Sequence, residues 1–558
     1  MYHQTLCIVI FFLINVTDAR GSVKTYTSGN GYRDVNATEG MIRGHVVDEG
    51  NYEYLAFYGV PYAAPPVGNM RFKPPLPLGP WDGVKVANRK VKCPQNGEGE
   101  EDCLVLNIFT PLKIINGPLP VLVYFHGGSF IMGSAHTEGM KHLIQQNIIV
   151  VTVNYRLGAL GFLCLGIKEA PGNSGLKDQV AALRWINRNI NEFGGDPKKV
   201  TIYGMSAGAA STEYHVLSHM SKGLFQQAIV ESGSATPVWA IDAQPIETAL
   251  NLAIGLNVST GKNLSRKSVY KMLNSFLKLP ANLISKVNME YYNNLTDGTF
   301  GFVPCVERHV PGREPFICRA PYHILTREQY SKVPMMFIYS SAEGLFLRSS
   351  DLYELNYAER MNANFFAFLP ADLQFDSKEI TKQIAENILN FYFGYNGTIG
   401  DDVMQYLNYF GDYLVMHSLL NSVEIHSKKN NPVYLMEFAY KGGLGSYDKF
   451  YENIYLAGHG DAMKYVLLNK PALNPDDKLI VRRMTKLLAN FVKFGNPTPE
   501  RTDLLPFIWP RVQPRNVSYL LLNNDIQIYE EPHWGRKAFW NSLYNKFRKT
   551  VKPVNPGF

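Results

Sequence analysis

The chain has 558 residues, 46% of them apolar and 13% aromatic, with a net charge of +7. That composition supports a large buried core and excludes a disordered chain. The Lys and Arg are scattered rather than gathered into a stripe, which argues against a nucleic-acid binder.

In chain order, Leu6–Ile14 is an apolar run of nine, too short to span a bilayer and placed like the core of a secretory signal. Small residues at Thr17 and Ala19 put the cleavage point after Ala19, so residues 1–19 read as a signal peptide and 20–558 as one domain. Export agrees with six N-x-S/T sites, at Asn36, Asn257, Asn263, Asn294, Asn396 and Asn516. It agrees with the cysteines too. Cys7 leaves with the signal. Cys93 and Cys103 lie ten apart in a Gly-rich stretch, and Cys305 and Cys318 thirteen apart around a Pro-Gly turn. They read as two local disulfides, with Cys164 free in an apolar segment. No Cys/His cluster points to a metal. The C-terminus is polar, with no second apolar run for a stable membrane anchor.

Six short runs read as buried parallel strands: Val121–Phe125, Ile148–Val153, Val200–Tyr203, Gln227–Val230, Met335–Tyr339 and Val433–Met436. Between the second and third, Val180, Leu183, Ile186 and Ile190 recur at helical spacing, and Gly194-Gly195 ends that helix. The alternation predicts an α/β fold, a large mostly parallel sheet with helices on both faces. The stretches from about 240 to 330 and 345 to 430 are helix-rich and irregular. They are expected as helical insertions walling a gorge.

Chemistry concentrates where runs end. Phe125-His-Gly-Gly-Ser-Phe130 follows the first strand, and its glycines let backbone N–H groups approach a substrate oxyanion. Thr201-Ile-Tyr-Gly-Met-Ser206-Ala-Gly208 is a G-x-S-x-G between a strand and a helix, the setting of the nucleophile elbow of α/β-hydrolases. Ser206 is the candidate nucleophile, with Gly127, Gly128 and Ala207 as oxyanion donors. The order in this fold is Ser, acid, His. Glu343 follows the strand Met335–Tyr339, and His459 stands between two glycines. His417, His426 and His533 lack such a setting and are expected at the surface; His215 and His219 are expected to pack on the helix after the elbow.

At these residues the sequence resembles the type-B carboxylesterase/cholinesterase family over essentially the whole mature chain. The resemblance rests also on Phe57-Tyr-Gly-Val-Pro-Tyr-Ala, Arg71-Phe, Glu101-Asp-Cys-Leu-Val-Leu-Asn, Asn154-Tyr-Arg-Leu-Gly, Lys177-Asp-Gln-Val-Ala-Ala-Leu, Phe193-Gly-Gly-Asp-Pro and Glu231-Ser-Gly-Ser. It implies acid and base at Glu343 and His459, and structural ion pairs Arg71–Glu101 and Arg156–Asp178. The secreted insect esterases, of antennal, integumental and juvenile-hormone types, are nearest in style. Met205 stands in the elbow where juvenile-hormone esterases carry Gln and cholinesterases Glu. Cholinesterases carry a key tryptophan between the first two disulfide-linked cysteines, whereas Pro94–Asp102 here holds no aromatic residue. Trp239, Phe130 and Phe302 lie near family pocket positions. The implied function is hydrolysis of an uncharged, lipophilic small-molecule ester through an acyl-Ser206, with no cofactor. The alternatives are a juvenile-hormone esterase or a catalytically silent binding or adhesion relative.

Overall fold

The computed structural model describes residues 24–25 and 31–557, apart from 116, 137–138, 260–264, 347–355, 396, 401, 446–454, 468–471 and 473. The expected signal segment and the sequons at Asn263 and Asn396 lie outside these residues. Asn36, Asn257 and Asn294 are exposed; Asn516 is half-buried, and its amide donates to Glu530 at 2.7 Å.

Thirteen of the described strands build one sheet, and Lys24–Thr25 pairs separately with Lys113–Ile114. All six runs expected as strands belong to it. Its parallel part runs Ile149–Val153, Leu119–Phe125, Gly195–Met205, Gln227–Glu231, Met335–Ser340, Val433–Phe438 and Ser518–Leu522, in that spatial order. Antiparallel strands extend both edges, Ile526–Glu530 on one side and Val105–Pro111, Glu53–Pro61, Gly40–Asp48 and Tyr32–Ala37 on the other.

The runs are apolar on both faces because helices cover both. Val121, Val123 and Phe125 face one core and Leu122 and Tyr124 the other; Met335, Phe337 and Tyr339 alternate with Met336 and Ile338 in the same way. The helix Ser174–Asn189 buries Val180, Leu183 and Ile186, then tightens into a short 3-10 turn, Ile190–Phe193, that ends at Gly194 with φ 89°. Both irregular stretches are helical. The first holds Pro245–Gly255, Arg266–Lys278, Ala281–Asn293 and Pro321–Arg327; the second holds Tyr357–Ala363, Lys378–Phe393, Val403–Gly411 and His417–Lys428.

Two ion pairs fix the loops beneath. Asp178 takes two hydrogen bonds of 2.7 Å from the Arg156 guanidinium, with both side chains buried. Arg71 pairs with Glu101 at 2.7 Å and also donates to the carbonyls of Phe276 and Leu279, tying the first insertion down. Such pairs satisfy buried charge that would be costly if left alone.

The disulfide pattern differs from the sequence reading. Cys93–Cys103 forms, but Cys305 pairs with Cys164, and Cys318 is a free, exposed thiol. The chain around the Pro-Gly turn does fold back, since Glu307 N donates to Ile317 O. Cys305, however, faces the buried side, where Cys164 lies. Gly172 makes room there: a Cβ on it would sit 2.6 and 2.7 Å from the two sulfurs. Three histidines also depart from expectation. His417 and His426 are buried, the latter against Glu213 and Tyr330 at 3.0 Å each, whereas His219 is exposed.

Non-reducing peptide mapping is therefore expected to recover Cys93–Cys103 and Cys164–Cys305, with Cys318 alkylated in the native protein. Cys164–Cys305 spans 141 residues, so the double Ala variant should lose up to about 5 kcal/mol by the chain-entropy relation. Recovery of a Cys305–Cys318 peptide would contradict the pairing.

Candidate active site

The candidate nucleophile stands at a turn whose geometry is imposed by its neighbours. Strand Gly195–Met205 runs straight into Ser206, and helix Ala207–Leu217 starts immediately after it. Ser206 has φ 58° and ψ −121°, a conformation that costs a non-glycine residue about 1–3 kcal/mol. Glycines on each side permit it. A Cβ on Gly204 would lie 2.0 Å from the Gly208 carbonyl oxygen, and one on Gly208 would lie 2.0 Å from that of Phe125. The Ser206 N–H donates to the Glu231 carbonyl at 2.8 Å, which anchors the turn to the next strand.

The glycines after Phe125 press against this turn. A Cβ on Gly127 would meet the Met205 carbonyl oxygen at 2.6 Å and the Ser206 Cβ at 3.1 Å. Gly128 has φ 105°, open to glycine alone at low cost. Ala207 is the first residue of its helix, so its N–H has no intrahelical acceptor. The structure thus brings Gly127 against Ser206, beside the N-terminus of the helix that begins at Ala207. His126 is buried and stacked on Tyr155 with centroids 4.4 Å apart. Burial holds its pKa down to about 4, so the ring is neutral. Its Nδ1 lies 2.9 Å from the Gly127 carbonyl, an acceptor, so this nitrogen carries the proton and donates.

Glu343 and His459 meet. The Glu343 Oε2 accepts from His459 Nδ1 at 2.6 Å, and Oε1 accepts from the Ser232 hydroxyl and the Ser340 N–H at 2.7 Å each. The carboxylate is fully buried and the imidazole mostly so. Gly344 allows helix Val403–Gly411 to close over this turn, because a Cβ there would lie 2.1 Å from the Leu407 carbonyl oxygen. The His459 loop is shaped by Gly460 at φ 73° and by Asp461, whose carboxylate accepts from Gly458 N at 2.7 Å. A Cβ on Gly460 would meet the Met205 side chain at 2.9 Å, so the imidazole loop rests on the residue preceding Ser206.

The sequence reading gave two residues here no role. One is Ser232, which orients Glu343. The other is Glu231, a second buried carboxylate that accepts from the Tyr203 hydroxyl at 2.5 Å and from Met463 N at 2.8 Å. Burial pushes its carboxyl up to about 7, and the nearby Glu343 charge acts in the same direction. Their signal was position: both stand where a parallel strand ends.

A cavity of about 210 Å³ begins at Ser129 and Met132, just past Gly128. Tyr292, Phe300, Tyr357, Phe410, Tyr413 and Leu414 supply its apolar walls, and among the described residues no charged side chain lines it. Phe300 stacks on Trp239 at 5.4 Å, and Phe130 packs 6.5 Å from the same indole. Phe302 is buried and does not line the cavity. Among the described residues, no group of three His, Cys, Asp or Glu could hold a metal ion.

Comparison with known proteins agrees with this architecture. The Carboxylesterase family model matches residues 32–540. The chain is 31% identical to a juvenile hormone esterase of Tribolium castaneum, covering 88% of this chain and 91% of that one. It is 34% identical to Esterase FE4 of Myzus persicae, covering 82% and 84%. The crystal structure of juvenile hormone esterase from Manduca sexta, with OTFP covalently attached, superposes with a TM-score of 0.80 at 27% identity, over 92% of this chain and 99% of that one.

The raised Glu231 carboxyl sets a pH dependence. A folded-state pKa above the unfolded value stabilises the fold at low pH, and that stability is lost as pH rises through about 7. Urea unfolding at pH 5 and pH 8 should therefore show the parent losing roughly 2–3 kcal/mol more than Glu231→Gln over that interval. Parallel pH dependences would show that Glu231 does not titrate there.

Proposed function

The chain belongs to the carboxylesterase family, and from that premise we propose that it is a secreted serine esterase that hydrolyses uncharged, lipophilic carboxylic esters. Ester hydrolysis itself follows from the family and from relatives that include a carboxylic ester hydrolase of Bombus ignitus. The observation that carries the mechanistic reading is the relay from Ser232 and Ser340 through Glu343 to His459, in a loop resting on Met205 beside Ser206.

In this reading Ser206 attacks the ester carbonyl while His459 takes its proton, and Glu343 stays ionised and stabilises the imidazolium. The N–H groups of Gly127, Gly128 and Ala207 receive the oxyanion; one such donor is worth roughly 3–4 kcal/mol in the transition state. His459 then protonates the leaving alcohol and activates the water that releases the acid. Neither half-reaction calls for a cofactor.

The uncharged character of the substrate rests on the cavity beside Ser129. Its aromatic walls suit an acyl or alcohol chain, and among the described residues its lining has no carboxylate to repay the desolvation of a cation. A juvenile-hormone-like ester belongs to this class and fits relatives of that name. Secretion rests on the signal-like segment 1–19, on sequons exposed at Asn36, Asn257 and Asn294, and on two disulfides. Among the described residues no helix is long and apolar enough to cross a membrane.

Ser206→Ala is expected to lower kcat for a p-nitrophenyl ester by roughly 10⁴-fold or more with thermal melting unchanged. Turnover near that of the parent would overturn the nucleophile. In the parent, kcat/KM for 3,3-dimethylbutyl acetate should exceed that for acetylcholine; a tenfold preference for acetylcholine would overturn the substrate class. An organophosphate that fails to label Ser206 would point instead to a silent binding relative.

A further inference from the structure

We propose that Gln95, in the Cys93–Cys103 loop, is a positioning residue that sets the oxyanion-binding backbone of Gly127 and Gly128. The inference rests on the reading of those glycines as oxyanion donors.

The disulfide closes a loop that contains a small hairpin. Gln95 N donates to Glu98 O at 2.8 Å and Glu98 N to Gln95 O at 2.9 Å. The two residues between, Asn96 at φ 46° and Gly97 at φ 83°, have the left-handed conformations of a type I′ turn. This turn, not an aromatic side chain, is what the short loop presents. It directs the Gln95 carboxamide at one residue of the oxyanion segment. Gln95 Oε1 accepts from Gly133 N at 2.9 Å, and Nε2 donates to Gly133 O at 2.8 Å. A single side chain thus closes both backbone groups of Gly133, as a neighbouring strand would. The Cys93 carbonyl takes a second bond from Nε2 at 3.0 Å and fixes the amide plane.

Gly133 in turn touches the donors' own backbone. It has φ 114°, and a Cβ on it would lie 2.3 Å from His126 Nδ1 and 2.6 Å from the Gly127 carbonyl oxygen. The segment between is wound tight, with Ile131 N and Met132 N both donating to Gly128 O at 3.0 Å. Gly133 thus packs directly on His126 and Gly127, so a shift of its backbone is felt by both. Other ties on this segment include Asn154 Oδ1 accepting from Ala135 N, Asn107 Nδ2 donating to Ala135 O, the Tyr155 hydroxyl donating to His126 O, and Gly158 N donating to Phe130 O. Gln95 is the tie that the disulfide loop adds, and it acts where the turn closes.

Oxyanion donors work by being in place before charge develops, and a misplacement of about 1 Å costs on the order of 100-fold in rate. Loss of the Gln95 clamp should therefore lower kcat without changing ground-state binding. The experiment compares the parent with Gln95→Ala and with Gln95→Glu, which keeps the shape but removes the Nε2 donor. Active sites are titrated with an organophosphate so that kcat is per functional site, and unfolded protein does not enter. Affinity for an alkyl trifluoromethyl ketone, which binds as a tetrahedral oxyanion adduct on serine, is measured alongside KM for the matching ester. The expected result is a kcat lowered about tenfold or more in both variants, KM within twofold, and ketone affinity weakened by the same factor as kcat. Parental kcat per site, or a raised KM with kcat and ketone affinity unchanged, would overturn the proposal. Ser206→Ala measured in parallel separates the two levels. If it retains turnover, the underlying reading fails; if it is inactive while the Gln95 variants are normal, only the positioning role fails.

Discussion

Strand Gln227–Glu231 lies between the strand that carries Ser206 and the strand that leads to Glu343, and its carboxyl end grips both. The Glu231 carbonyl takes the Ser206 N–H, and the Ser232 hydroxyl goes to the Glu343 carboxylate. Parallel strands stand about 4.8 Å apart, so two ladder spacings place Ser206 and Glu343 roughly 10 Å from each other. An imidazole hydrogen-bonded at both ring nitrogens fills a gap of that order. The spacing is set by backbone hydrogen bonds and cannot be adjusted by one side chain. The strained turn at Ser206 persists for the same reason. Its conformation is over-determined by Gly204 against Gly208, by Gly127 against Met205, and by the bond to Glu231.

Two buried carboxylates sit on this frame, and their surroundings give them different work. Glu343 has three donors, from His459, Ser232 and Ser340, enough to satisfy an ionised group with no exposure to water. Glu231 has two, from Tyr203 and Met463, and burial dominates, raising its carboxyl to about 7. Its side chain ties the helix after His459 to the strand whose carbonyl holds Ser206, so the His459 loop and the Ser206 turn share one support. Ionisation of Glu231 would place a second negative charge near Glu343, and its high pKa limits that repulsion at neutral pH.

What the sequence made legible follows from how local each signal is. The parallel strands were readable because burial on both faces leaves a continuous apolar run, as in Ile148–Val153. Ser206, the glycines after His126 and the glycine-flanked His459 were readable because strained or tight backbone demands specific residues at fixed offsets. Glu343 was legible only through its place after a strand. The partner of Cys305 was not, because sequence spacing reports loop length and says nothing of which side of a folded-back segment a thiol faces. Cys164, 141 residues away, became the partner through packing against Gly172. His426 looked like a surface residue because nothing near it in sequence announces Glu213, a partner on another helix. Phe302 was expected near the pocket, but Phe300 lines it; a shift of two residues within an irregular stretch carries no periodicity to decide it.

The division between sheet and insertions also explains why reaction class and substrate are unequally readable. Every group assigned to bond making stands at the end of a strand or in a turn fixed by one. The cavity walls come instead from outside the sheet: Tyr292 and Phe300 from the first insertion, Tyr357, Phe410 and Tyr413 from the second. These walls pack against the sheet's cover rather than into its hydrogen-bond ladder. Exchanging one aromatic side chain there for another of similar volume costs little in a core that tolerates volume-conserving changes. A change at Gly204, Gly208 or Gly127 instead forces backbone atoms apart that now sit closer than a Cβ allows. Such a frame can hold its chemistry fixed while its pocket changes. The Cys93–Cys103 loop joins this frame by clamping Gly133. With nine residues between its cysteines, it turns back through Gln95–Glu98 and makes this contact with the backbone that the sheet positions.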